Sequence, residues 1–293
     1  MAELILDARN GTGESPVWHV AEQALYWVDI PGKTINRWSP TAGHRQWETE
    51  EMPACIAATA TAGQWIAGME SGVFSLQLQD DGKALATRLA AVPHAAPTMR
   101  FNDGRCDRQG RFWAGTMLLD MAAAARVGCV YSYASDSEKL ATVLDDFIVP
   151  NGLAFSPDGK TMYVSDSHPT VQQVWAYDYD TQSGTPSNRR VFVDMNAFPG
   201  RPDGAAMDVD GCYWICGNDA GLIHRFTPDG RLDKSLAVPV KKPAMCAFGG
   251  PHLDTLYVTS IRPGGDITDQ PLAGGVFALQ PGVCGLPEPV FAA

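Results

Sequence analysis

Four polar residues stand at nearly the same distance ahead of four aromatic-anchored apolar segments. Glu14 precedes Trp27 by 13 residues, Asn102 precedes Trp113 by 11, Asn151 precedes Tyr163 by 12 and Asp203 precedes Trp214 by 11. Their side chains are carboxylates and amides, so all four present oxygen. Hard oxygen donors suit Ca2+, Mg2+ or Mn2+, and carboxylates also admit Zn2+ or Fe2+. A centre with few protein donors keeps positions open for water or substrate, as a catalytic ion requires. Most of the four have a glycine or proline beside them: Gly13, Pro150 and Gly152, Pro202 and Gly204. Singly, Asn-Gly and Asp-Gly are mostly turn formers. Their repetition at one offset is what singles them out.

The elements that must position them form a repeat. The anchors Trp27, Trp65, Trp113, Tyr163, Trp214 and Tyr257 are separated by 38, 48, 50, 51 and 43 residues. Each lies in a short β-branched and aromatic run, followed by a turn and a second such run, as in Ala24–Ile30 and Thr34–Trp38. A period of this length with about four strands per unit is that of propeller blades. The expected fold is therefore all-β: a six-bladed β-propeller, each blade of four antiparallel strands, in one domain spanning residues 1–293. The opening run Ala2–Ala8 is expected to pair with the last blade, joining N- and C-terminal strands and leaving no open edge. Inner strands of a propeller line a shared axis, so residues far apart in sequence meet at one mouth. The only helical pattern is Leu118–Arg126, read as a short helix in a loop.

Composition narrows the function. The net charge is −11 with no Lys/Arg run, which argues against a nucleic-acid partner. No segment is long and apolar enough to span a bilayer, and the N-terminus lacks a basic-then-apolar leader, so a cytoplasmic protein without membrane contact is expected. The seven cysteines are scattered; Cys212 and Cys216 have no second close pair, and all read as reduced thiols. Asp208-Val209-Asp210-Gly211 has the start of a calcium loop but not its downstream ligands, and reads as a turn. No Gly-x-Ser-x-Gly elbow is present, which disfavours serine hydrolysis. A closed ring makes a monomer the default expectation.

A set of motifs runs in order along nearly the whole chain. They are Gly13-Glu14-Ser15-Pro16-Val17-Trp18, Arg100-Phe101-Asn102-Asp103-Gly104-Arg105, Trp113-Ala114-Gly115-Thr116-Met117, Pro150-Asn151-Gly152-Leu153-Ala154-Phe155-Ser156, Pro202-Asp203-Gly204 and Phe248-Gly249-Gly250. Together they resemble the senescence-marker-protein/gluconolactonase/luciferin-regenerating family, which includes regucalcin. The resemblance implies one divalent ion at the axis held by Glu14, Asn151 and Asp203. It implies that Arg100 and Asn102 hold the substrate's hydroxyls and carbonyl. The position where several relatives carry a substrate-touching glutamate corresponds here to Asp120, one methylene shorter, which is as readily a surface loop residue. The implied activity is metal-dependent hydrolysis of a sugar aldonolactone, from gluconolactone to pentonolactones or a sulfonated gluconolactone, with Asp203 as general base. Two alternatives belong to other classes: a calcium-binding regulatory propeller without significant catalysis, and a paraoxonase-like esterase.

Overall fold

The computed structural model describes residues 2–136 and 139–292. Six four-stranded antiparallel sheets make up the fold. Their inner strands are Gly13–His19 (blade 1), Cys55–Ala58 (blade 2), Met99–Cys106 (blade 3), Pro150–Phe155 (blade 4), Arg201–Met207 (blade 5) and Pro243–Gly249 (blade 6). Each inner strand packs against those of its two neighbours, and blade 6 packs against blade 1, so the ring closes. Blade 6 takes its outermost strand, Glu3–Leu6, from the N-terminus, paired antiparallel with Val276–Leu279. The expected closure is borne out.

Local chemistry explains the regularity. In Ser156-Pro157-Asp158-Gly159, Ser156 Oγ donates to Asp158 Oδ1 at 2.6 Å and Lys160 N donates to the same oxygen at 3.0 Å. The turn delivers the chain directly into Thr161–Asp166. The anchors then fill the seams. Trp27, Trp65, Trp113 and Trp214 are fully buried. Tyr26 meets Trp65 across blades 1 and 2 with ring centroids 4.4 Å apart, and Trp18 stacks on Tyr257 at 5.2 Å across blades 1 and 6. These seams thus bury large aromatic surface, which favours ring assembly.

The far end of the axis is closed by the C-terminal segment. Phe291 N donates to Ala58 O and Ala292 N to Gly110 O, while Glu288 faces Arg105 at 3.6 Å. The Leu118–Arg126 helix is shorter than expected: only Met121–Ala123 forms a 3-10 turn, ended by Ala124 in a left-handed conformation with φ of 48°. The cysteines are free, as expected. Among the described residues no helix is long and apolar enough to cross a membrane.

Candidate functional site

Five of the six inner strands are interrupted at the same point. Register shifts fall between Glu14 and Val17, Phe101 and Gly104, Asn151 and Ala154, Pro202 and Ala205, and Pro243 and Cys246. Such bulges bend a strand and re-aim a side chain. Glu14, Asn102, Asn151 and Asp203 all sit at these bulges, which turns a sequence offset into a shared position at one mouth. Blade 2 pairs Cys55–Ala58 without a shift, and the bulge of blade 6 holds Ala244 and Met245. The polar equipment therefore comes from blades 1, 3, 4 and 5. Gly152 makes the blade 4 bulge possible: its φ is 59°, and a Cβ there would stand 2.4 Å from the Tyr213 hydroxyl oxygen. Gly204 serves close approach, since a Cβ there would meet the Met245 side chain at 2.3 Å.

Asn151 and Asp203 are directly bonded. Asn151 Nδ2 donates to Asp203 Oδ1 at 2.6 Å and to Ser167 Oγ at 2.8 Å. Ser167 Oγ in turn donates to the Pro202 carbonyl at 2.5 Å. These bonds fix the amide so that Asn151 Oδ1 receives only the adjacent Gly152 N–H, at 3.3 Å. The second Asp203 oxygen accepts Asn218 Nδ2 at 2.5 Å. Glu14 accepts one bond, from Ser15 N at 3.0 Å. Both carboxylates are buried. Burial pushes the Glu14 carboxyl well above its ordinary range, and the nearby charges of Asp203 and Asp103 push it further. Burial likewise raises Asp203, against the lowering pull of the Asn218 amide and Arg201.

Arg100 and Asn102 stand beside this pair. Arg100 Nη1 donates to Asn102 Oδ1 at 2.9 Å and to the Phe101 carbonyl at 2.7 Å. Asn102 Nδ2 donates to the Pro150 carbonyl at 3.1 Å, next to Asn151. Burial lowers Arg100 to about 10, so it remains protonated at neutral pH, and Glu14 is its main supporting charge. Asp120 lies in the loop that follows strand Phe112–Leu118 of blade 3. It is exposed and spends Oδ1 on the Ala122 N–H at 3.2 Å, capping the 3-10 turn. That loop is tied down by His168, whose Nε2–H donates to the Met121 carbonyl at 3.1 Å.

Three participants escaped the sequence reading. Ser167 and Asn218 hold Asn151 and Asp203, and Asp103 adds a third buried carboxylate whose Oδ1 has no partner among the described residues. Asn218 sits in Gly217-Asn218-Asp219, a segment indistinguishable from a turn until its cross-strand pairing with Arg201 is known.

The donor set fits an oxygen-seeking divalent ion. Burial raises the proton affinity of both carboxylates, the charge of Asp203 raises that of Glu14 further, and the Asn151 carbonyl oxygen is nearly free. Among the described residues no group of three His, Cys, Asp or Glu side chains is placed to hold a metal, so a three-donor set here would need an amide oxygen beside the two carboxylates.

The model of the SMP-30/Gluconolactonase/LRE-like region matches residues 12–262. The chain is 40% identical over 286 residues to a 6-deoxy-6-sulfogluconolactonase of Pseudomonas putida, covering 96% of this chain and 94% of that one. Among solved structures, a luciferin-regenerating enzyme superposes with a TM-score of 0.92 at 27% identity, covering 100% of this chain and 99% of the other. A calcium-binding regucalcin from Agrobacterium tumefaciens gives a TM-score of 0.90 at 27% identity, covering 100% and 98%.

Proposed function

The chain belongs to the SMP-30/gluconolactonase/LRE-like family, and from that premise we propose that it hydrolyses a sugar aldonolactone with the help of a divalent ion. The observation that carries this reading is the pairing of two buried, poorly compensated carboxylates, Glu14 and Asp203, with the Asn151 amide at one mouth. The similarity to a sulfogluconolactonase over almost the full chain supports the lactone as the substrate class.

Glu14, Asp203 and the Asn151 carbonyl would hold the ion, which when bound supplies positive charge for the oxyanion that develops at the lactone carbonyl. Asp203 acts as general base: it takes one proton from the attacking water as the water oxygen bonds to the carbonyl carbon. The ring C–O bond then breaks, and the departing ring oxygen takes up that proton to become a hydroxyl of the aldonic acid. Asn151 and Asn218 hold the two Asp203 oxygens in fixed directions, so the base is oriented before substrate arrives. Arg100 and Asn102 orient the lactone by directed hydrogen bonds, and the buried Arg100 Nε, which has no partner among the described residues, is a donor left for it. Asn102→Ala should raise KM about tenfold, the scale of one lost substrate hydrogen bond. An unchanged KM across lactones would remove Asn102 from the substrate's surroundings.

The test is lactone hydrolysis followed by pH drop, using chelator-stripped protein and single divalent ions added back, with spontaneous ring opening subtracted. Restored turnover supports the proposal. The similarity to a calcium-binding regucalcin favours one second reading, a binding propeller without catalysis. Tight ion binding without turnover of any lactone would select it.

A further inference from the structure

The rim above the site carries cations that the hydrolytic chemistry does not use. Arg201 opens the inner strand of blade 5, two residues ahead of Asp203, and pairs in register with Asn218. Directly paired residues share one face of a sheet. The Asn218 amide reaches Asp203, so Arg201 stands on that same face, nearer solvent. Its Nη1 points at the Ser167 carbonyl at 3.5 Å, and Ser167 is the residue whose hydroxyl holds Asn151.

Arg201 Nε donates to Asp219 Oδ2 at 2.6 Å. Lys242, which immediately precedes the inner strand of blade 6, donates its Nζ to the other oxygen of the same carboxylate. One carboxylate thus anchors two cations, and the cluster keeps one uncompensated positive charge. Arg201 and Lys242 are partly exposed, at 20% and 28%, and among the described residues Arg201 Nη2 has no hydrogen-bond partner. Arg100 adds a further cation on blade 3. The positive balance of this rim cluster stands out in a chain whose net charge is −11. Asp219 holds both side chains in place before any ligand arrives, which lowers the ordering cost of binding. The free edge of the Arg201 fork and the remaining Lys242 protons are suited to the oxygens of an anion.

We infer that Arg201 and Lys242 form an anion subsite at the mouth, and that the substrate is a sugar lactone bearing an anionic group at the end remote from its lactone carbonyl. The inference rests on the lactonase reading. Sulfonate, phosphate and carboxylate share the required chemistry, an exposed set of charged oxygens, and differ in size and charge.

The experiment compares metal-loaded protein on neutral glucono-δ-lactone and on the same lactone carrying a 6-sulfonate, a 6-phosphate or a 6-carboxylate. At least one anionic lactone should show kcat/KM roughly tenfold above the neutral one, the scale of one charge-assisted hydrogen bond. The advantage should sit in KM and shrink as ionic strength rises. Arg201→Gln and Lys242→Gln should each pull the anionic-to-neutral ratio toward one; Lys242 is the more exposed, so its variant guards against misfolding. Calorimetric titration of the product acids should give the same order of affinity. Equal kcat/KM on neutral and anionic lactones, or a ratio unmoved in both variants, overturns the inference and leaves the lactonase reading standing. Failure to turn over any lactone removes both.

Discussion

Blade 5 carries two buried aspartates five residues apart, and they live under opposite conditions. Asp208, just past the inner strand, accepts hydrogen bonds from the Asp210 and Cys212 amides at 3.0 and 2.9 Å, and from Trp214 Nε1 and Arg225 Nε, both at 2.8 Å. Asp203, at the bulge, has two neutral amides on its oxygens and another carboxylate, Glu14, in its field. Both are inaccessible or nearly so, at 0% and 7%. Asp208 is a saturated charge whose partners are all supplied by its own blade. Asp203 is a charge folded into low dielectric without a protein cation bonded to it. Burial alone therefore does not mark a functional carboxylate; burial with incomplete compensation does. The same contrast accounts for Asp208-Val209-Asp210-Gly211, whose calcium-loop look reflects a turn-closing acid with every lone pair in use.

The largest effect that would test this contrast is on catalysis. Asp203→Ala should lower turnover by about a thousandfold or more, the scale of losing a general base, and weaken ion binding, while the ring still folds. Near-wild-type hydrolysis by that variant would erase the distinction between the two aspartates. Asp208→Ala should do the reverse. It takes one of three carboxylates from Arg225 and leaves Trp214 Nε1 and two backbone N–H groups without their acceptor, and should cost about 1–3 kcal/mol for each buried donor stranded, read by denaturant unfolding. An Asp208 variant that kept its stability but lost ion binding would show that the two residues are not separate in role. Asn218→Ala removes a bond to Asp203 without touching the ion itself. Divalent-ion affinity, measured by calorimetry, should fall about 10–100-fold, with melting temperature nearly unchanged because a buried, unpaired carbonyl leaves with the amide.

The smallest effect is on pH dependence in chelator. The raised Glu14 and Asp203 values mean the folded state holds protons that the unfolded chain has released. Their contribution to stability is greatest near the unfolded carboxylate range and declines as pH rises toward the raised folded values. Metal-free Asp203→Asn should therefore melt above wild type at pH 8, with the gap closing toward pH 5 and abolished by saturating divalent ion. A gap independent of pH would mean that Asp203 is not destabilised by its charge.

Much of this was legible in order along the chain. The aromatic anchors at regular spacing and the turns beside them named the blades, because period and turn chemistry are local properties. The common offset of Glu14, Asn102, Asn151 and Asp203 pointed to one mouth for the same reason. Asp120 shows the limit: its place in the motif order implied contact with substrate but not the local bond by which it caps its own 3-10 turn. Ser167, Asn218 and the Arg201–Asp219–Lys242 cluster carried no signal at all. Their partners lie 15 to 35 residues away or on another blade, and a hydrogen bond across a seam leaves no trace in local pattern.

The sequence by itself determined the repeat, the number of blades, the absence of a nucleic-acid signature and the oxygen character of the candidate donors. Each follows from residue type and spacing, which act over one strand and one turn. Only the tertiary structure decided which carboxylates are left uncompensated, which amides hold them and which cations stand at the rim. Those depend on five bulges turning separate strands toward one axis, and on a low-dielectric interior that makes a missing partner costly.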